Sequence, residues 1–291
     1  VKPLRYRHRC VVGGAQMSHF ICPVCGEPLF IDGKQQICKN HHTYDIAKAG
    51  YINLLQSQKS AQKRHGDDKL MVRCRKEFLD KGYYACLLDE LIKQCLAVPK
   101  ESLSVLDVGC GEGWYSDRIF TALQSAKSVT MSGVDISKDA LIYAAKRNRD
   151  IAWAVASVSK LPVADQSVDI LINLFAPFDE SEFYRVLRPG GIFIRAIALE
   201  KHLWGLKEKI YDHPYENQPQ FPILRGFEGP QRKDICQTIS LTDPEDIDHL
   251  FKMTPYYYKT SPADQAKLAE LKTLTTAVEF SVLTYQKSLL R

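Results

Sequence analysis

The stretch VLDVGCGEG, residues 105–113, constrains this chain more than any other. An apolar run ends in three alternating glycines, and an amphipathic run, WYSDRIFTALQ, follows at once. A strand, a tight loop and a helix in that order bring backbone close to a ligand and point the loop's N–H groups and the positive end of the helix at it. The unit repeats. VTMSGVDIS predicts a strand, KDALIYAAKRN a helix, IAWAVAS and SVDILINLFAP strands, ESEFYRVLRPGG a helix closed by glycine, and GIFIRAIAL another strand. Alternation of this kind predicts an α/β domain whose mostly parallel sheet is covered on both faces. Near the end, DICQTISL and AVEFSVLTYQKS alternate by twos and predict an antiparallel pair at one edge.

The loop also excludes a ligand class. A dinucleotide fingerprint needs glycine or alanine at position 114, and Trp114 stands there. An acid two residues before G-x-G-x-G resembles the loop of S-adenosylmethionine-dependent methyltransferases. That resemblance implies that Gly109 and Gly111 wrap the methionine part of the cofactor and that Asp107 holds its ammonium group. Asp135, at the end of the second strand, is placed to accept from both ribose hydroxyls. Together with PVADQSVDILIN and the LRPGG turn, these residues are similar to a class I (Rossmann-like) methyltransferase domain with a seven-stranded sheet.

A second motif lies near the start. Cys22-x2-Cys25-x12-Cys38-x3-His42 offers three thiolates and an imidazole at the spacing of a structural zinc site. Four protein ligands leave no position for a catalytic water, so the Zn2+ is expected to fold the module rather than react. His41 rivals His42, and spacing alone does not separate them. The other six cysteines are scattered, which speaks against a disulfide framework.

Charge is uneven along the 291 residues. Residues 1–16 carry 4 bases and no acids, residues 17–76 carry 10 bases and 5 acids, and residues 77–291 carry 25 bases and 29 acids. A polyanion-binding surface is therefore expected mainly in the N-terminal quarter. The organisation expected is an N-terminal extension at 1–16 that is not part of the fold, with Met17 as the natural start. A zinc-binding, RNA-recognising module follows at 17–57, a basic linker at 58–76 and the methyltransferase domain at 77–291. RCRKEFLDKGYYACLLDELIKQCLA predicts helices that Pro99 ends. With no apolar run of membrane-spanning length, the expected location is the cytoplasm.

The zinc motif, YDIAKAGYINLL, FLDKGYY, LDVGCGEG and FAP occur in this order. From Met17 onward the chain resembles the RlmA family of 23S rRNA (guanine-N1)-methyltransferases. The resemblance implies zinc on Cys22, Cys25, Cys38 and His42, and cofactor contacts from Tyr84, Gly111, Glu112 and His202. It further implies methylation of N1 of a guanine in a 23S rRNA hairpin near the peptide exit tunnel, and a homodimer. Asn173 departs from the family pattern, which often carries arginine there. Candidates for handling the N1 proton are Asp179, Asn173 and His202, none of them singled out by the sequence. Phe175 is a candidate stacking platform, and Lys59, Lys63, Arg64, Lys69, Arg73 and Arg75 are candidates for phosphate contacts. Two other functions compete: a small-molecule methyltransferase with a structural zinc module, and a non-catalytic RNA-binding protein that keeps the fold.

Overall fold

The computed structural model of the protein describes residues 11–12, 15–56 and 66–289. The N-terminal part is an antiparallel sheet in chain order: β1 (Val11–Val12), β2 (Ala15–Ile21), β3 (Pro28–Asp32), β4 (Gln35–Cys38) and β5 (Thr43–Asp45). Strands thus continue upstream of Met17, in a segment the sequence left outside the fold, while residues 1–10 lie outside the described residues.

The remaining elements follow as β6 (Ile52–Asn53), α1 (Lys69–Asp80), α2 (Ala85–Leu96), β7 (Ser102–Val108), α3 (Trp114–Gln124), β8 (Ser128–Asp135), α4 (Lys138–Arg147), β9 (Ala152–Val155), β10 (Val168–Leu174), α5 (Glu180–Val186), β11 (Leu187–Ala198), α6 (Trp204–Ile210), β12 (Phe227–Leu241), α7 (Pro244–Lys252), α8 (Tyr256–Lys259), α9 (Pro262–Ala269) and β13 (Leu274–Lys287). Their sheet runs β12-β13-β11-β10-β7-β8-β9-β6. Every pairing from β11 to β6 is parallel, and β13 is antiparallel to both β11 and β12. This is the class I methyltransferase arrangement of seven strands, extended by β6 from the N-terminal region. β10 is buried at all seven positions, as expected for a central strand covered on both faces.

The two faces are covered differently. On one, α1, α2, α3 and α4 contribute Phe78, Leu87, Leu91, Ile119 and Leu141 to a continuous core. On the other, α5 supplies Phe183 and Val186, but the connection from β9 to β10 spans only residues 156–167 and forms no helix. The zinc module fills that gap. Its Phe20, Cys22, Leu29 and Cys38 share one buried cluster with Val134, Ala154, Leu161 and Val163, and the Ile21 N–H donates to the Pro162 carbonyl at 2.9 Å.

Two expected boundaries move. The helix expected to end at glycine stops at Val186, and Leu187 already pairs with Val168 in β11. Pro189 accounts for this, since it forces Arg188 toward extended backbone and has no N–H to continue the helix. The stretch read as a basic linker also contains the start of α1. The Asp68 carboxylate caps that helix by accepting from the Met71 N–H at 2.9 Å, and Met71, Val72 and Cys74 are buried beside it.

Candidate active site and metal centre

The zinc motif closes on itself. The ligand atoms of Cys22, Cys25, Cys38 and His42 all lie within 4.8 Å of one another. His42 Nδ1 stands 3.5 Å from Cys22 Sγ and 3.4 Å from Cys38 Sγ, and Cys25 Sγ stands 3.7 Å from Cys38 Sγ. The turn that follows β4 decides which histidine faces the thiols. The Cys38 N–H donates to the His42 carbonyl and the His41 N–H to the Cys38 carbonyl, leaving His41 exposed with φ of 62°. Three soft thiolates and one imidazole at tetrahedral spacing suit zinc and leave no open coordination position.

At the C-terminal ends of β7, β8, β10 and β11 lies a cavity of about 960 Å³, at the upper end of the usual range for small-molecule sites. Tyr84, Asp107, Gly109, Gly111, Glu112, Asp135, Phe175 and His202 all line it. Gly109 and Gly113 both have left-handed backbone. A Cβ on Gly109 would stand 2.5 Å from the Ala176 Cβ, and one on Gly113 would stand 3.0 Å from Ala144. The expectation that this loop turns its N–H groups to a ligand does not hold. The Gly109 and Cys110 N–H groups donate to the Val134 carbonyl, that of Gly111 to Asp135 Oδ2 and that of Gly113 to the Cys110 carbonyl. With four of its five amides spent internally, the loop makes a poor phosphate cradle.

The cavity offers an acceptor instead. Asp107 is buried, and its Oδ2 accepts from Ser116 Oγ at 2.6 Å while its Oδ1 has no partner. Burial, reinforced by the nearby Asp135 charge, pushes its carboxyl up to about 7. A cationic donor in the cavity would satisfy the orphan oxygen and restore the anion, which fits the ammonium group of S-adenosylmethionine. Asp135 accepts from the Gly111 and Ser137 N–H groups at 2.9 and 2.8 Å, and each oxygen keeps a lone pair for a hydroxyl. Glu112 is buried in an ion pair with Arg147 at 2.7 Å, which holds the loop against α4.

His202 lies 3.4 Å from the Tyr84 hydroxyl, and its Nδ1 accepts from the Glu279 N–H at 3.1 Å. That bond puts the ring proton on Nε2. Burial, with repulsion from Lys207, lowers its pKa to about 3. His202 is therefore a neutral donor toward the cavity and not a proton acceptor. Asp179 is excluded from that role too. It lies outside the cavity lining and caps α5, accepting from Ser181 Oγ at 2.6 Å and the Glu182 N–H at 3.0 Å, and these bonds lower its pKa. Asn173 is fully buried behind the loop and donates to the Val108 and Pro177 carbonyls, a positioning role. Phe175 is 48% exposed with φ of 55°, a left-handed conformation rare for an aromatic residue, and its ring rests against Phe280.

Of the phosphate-contact candidates, Lys59, Lys63 and Arg64 lie outside the described residues. Lys69 and Arg73 are exposed on α1. Arg75 is already engaged, since it pairs with Asp67 and donates to the Met253 carbonyl on the cavity wall.

Several lining residues escaped the sequence reading. Trp114 Nε1 and the Tyr115 hydroxyl are buried without partners, and Arg195, Tyr215 and Tyr256 complete the wall beyond Phe175. The tyrosine-rich PYYYK at 255–259 and the lone charge inside GIFIRAIAL were the traces they left.

Residues 20–63 match the zinc-ribbon family described as "RlmA, N-terminal", and residues 105–191 match "Methyltransferase domain". The 23S rRNA (guanine(748)-N(1))-methyltransferase of Streptomyces fradiae is 30% identical over 273 residues, covering 90% of this chain and 95% of its own. YxjB of Bacillus subtilis (strain 168), provisionally named as a 23S rRNA (guanine-N1)-methyltransferase, is 29% identical over 276 residues, covering 91% and 96%. Among solved structures, phosphoethanolamine N-methyltransferase 2 of Haemonchus contortus with S-adenosyl-L-methionine aligns at 15% identity and a TM-score of 0.46, over 80% of this chain and 60% of that one.

Proposed function

This chain belongs to the family of 23S rRNA (guanine-N1)-methyltransferases, and from that premise we propose that it methylates N1 of one guanine in a hairpin of 23S rRNA near the peptide exit tunnel. The observation that carries this reading is the Streptomyces fradiae relative, whose match covers 90% of this chain and 95% of its own. S-adenosylmethionine, when bound, supplies an electrophilic methyl group on a sulfonium.

The chain's own residues divide the remaining work. Asp107 holds the ammonium of the cofactor and Asp135 its ribose hydroxyls, while Tyr84 and the neutral His202 close the wall on the donor. Gly109, Gly111 and the Glu112–Arg147 pair fix the loop. Phe175 offers a ring face to the arriving base, since sequence-specific RNA recognition favours splayed bases stacked on aromatics. Bringing N1 and the methyl group together at close range supplies much of the rate. Cys22, Cys25, Cys38 and His42 hold zinc that shapes the module, with Lys69 and Arg73 on α1 among the cations available to phosphates. The working unit is a cytoplasmic homodimer, and among the described residues no helix is long and apolar enough to cross a membrane.

Incubation with S-adenosylmethionine and unmodified large-subunit rRNA, followed by primer extension, tests the reading. N1 methylation blocks base pairing, so a single reverse-transcription stop at a hairpin guanine is expected. Transfer to no rRNA position by a cofactor-binding protein would overturn it.

A further inference from the structure

Arg195 is the lone charge in the apolar run of β11, and its register places it at the end of the sheet that carries the cavity, between Asn173 of β10 and Leu283 of β13. Its guanidinium lies over the Phe178 ring, 4.4 Å from the centroid, which holds the group in one plane. Nη1 is buried without a hydrogen-bond partner, and among the described residues no carboxylate pairs with it. Other arginines of this domain differ. Arg147 pairs with Glu112, Arg185 with Asp165 and Arg188 with Asp169. A planar donor fork left unpaired in a cavity wall, beside Phe175 and Pro177, is built for an oxygen that arrives with a ligand.

We propose that Arg195 binds an anionic oxygen of the target nucleotide. The inference rests on the rRNA methyltransferase reading. Two sources share this chemistry: a non-bridging oxygen of an adjoining phosphate, and guanine O6, which gains negative charge as N1 loses its proton. In the second case the N1–H bond breaks and the proton passes to water. The electron pair left on N1 attacks the methyl carbon, and the C–S bond breaks with its pair retained by sulfur. The anionic base and cationic sulfonium thus become a neutral methylguanine and a neutral thioether. Arg195 stays protonated throughout and stabilises the charge on O6 before transfer.

Arg195→Ala and Arg195→Lys, compared with the wild-type chain on large-subunit rRNA, test the proposal, with cofactor affinity and thermal midpoint measured on each protein. Arg195→Ala is expected to lose about 10- to 100-fold in kcat/KM while cofactor affinity holds, and Arg195→Lys to recover part of the loss. A phosphate contact would place the loss in KM and reduce the salt slope of RNA binding by about one. An O6 contact would place it in kcat, with the deficit shrinking as pH rises and N1 deprotonates unaided. An alanine variant with wild-type kcat, KM and salt slope would overturn the proposal. So would a loss matched by equal losses of cofactor affinity and thermal midpoint that lysine does not relieve. A wild-type chain that binds cofactor but modifies no rRNA would instead sink the reading beneath it, and the proposal with it.

Discussion

In the zinc ribbon four ligand atoms face one another within 4.8 Å, and no position among them opens to a fifth group. In the cavity, Asp107 Oδ1, Trp114 Nε1, the Tyr115 hydroxyl and Arg195 Nη1 face no protein partner at all. A buried polar atom without a partner costs about 1–3 kcal/mol, and four of the nine such side-chain atoms among the described residues belong to this one cavity, where a ligand would satisfy them. The difference separates a site that makes the fold from a site that the fold holds ready.

The largest expected effect breaks the closed site. Cys22→Ser, or removal of zinc by a chelator, should cost most of the module's folding energy, since structural zinc contributes on the order of 10 kcal/mol in short zinc-binding peptides. Metal analysis should show zinc lost, and hydrogen exchange should speed up over residues 20–56. Because Phe20 and Leu29 cover β8 and β9, the thermal midpoint of the large domain should fall as well. Unchanged metal content and exchange would erase the contrast.

Next in size is Gly109→Ala, which probes the rigidity of the open site. A left-handed alanine with its Cβ against Ala176 should cost roughly 2 kcal/mol or more and weaken cofactor binding in proportion. Calorimetric titration with S-adenosylmethionine checks it; wild-type affinity would mean that the loop gives way easily.

Asp107→Asn tests the orphan acceptor itself. Loss of a charged acceptor should weaken cofactor binding by about 10- to 100-fold while leaving the thermal midpoint of the cofactor-free chain equal or higher. The same group sets a pH dependence. Its carboxyl titrates near 7 when folded, against an ordinary value of 3.8, so the folded chain holds the extra proton between those values. Stability without cofactor should therefore fall as pH rises from about 4 to about 7. Cofactor affinity should move the other way, rising to about pH 7 and then levelling, because binding needs the anion. Asp107→Asn should flatten both trends.

His41→Ala should do least, under about 0.5 kcal/mol with full zinc content, because the side chain is exposed and its turn is held by backbone bonds. Zinc loss equal to that of His42→Ala would reassign the fourth ligand.

Much of this was legible in the residues. The continuous apolar run of β10 and the alternating residues of β13 carried their own assignments, because burial on two faces and pairing by twos leave direct traces. The cysteine spacing likewise carried the metal cluster. What escaped depended on tertiary partners. Nothing in GCGEG reveals that Val134 and Asp135 occupy the loop's amides. Asp179 looked available because its bonds to Ser181 and Glu182 exist only once α5 has formed. His41 and His42 are neighbours in sequence, and only the left-handed turn at His41 sends them in different directions. The start of α1 was hidden because Met71, Val72 and Cys74 lie among lysines and arginines, so its buried stripe is diluted in sequence.

β6 contributes two residues, Ile52 and Asn53, yet it hydrogen-bonds the chain leaving the zinc ribbon onto β9. Those rungs turn what would be a tether into a bracket. The ribbon and the cavity are thereby set at one span, like the two jaws of a caliper clamped by a screw.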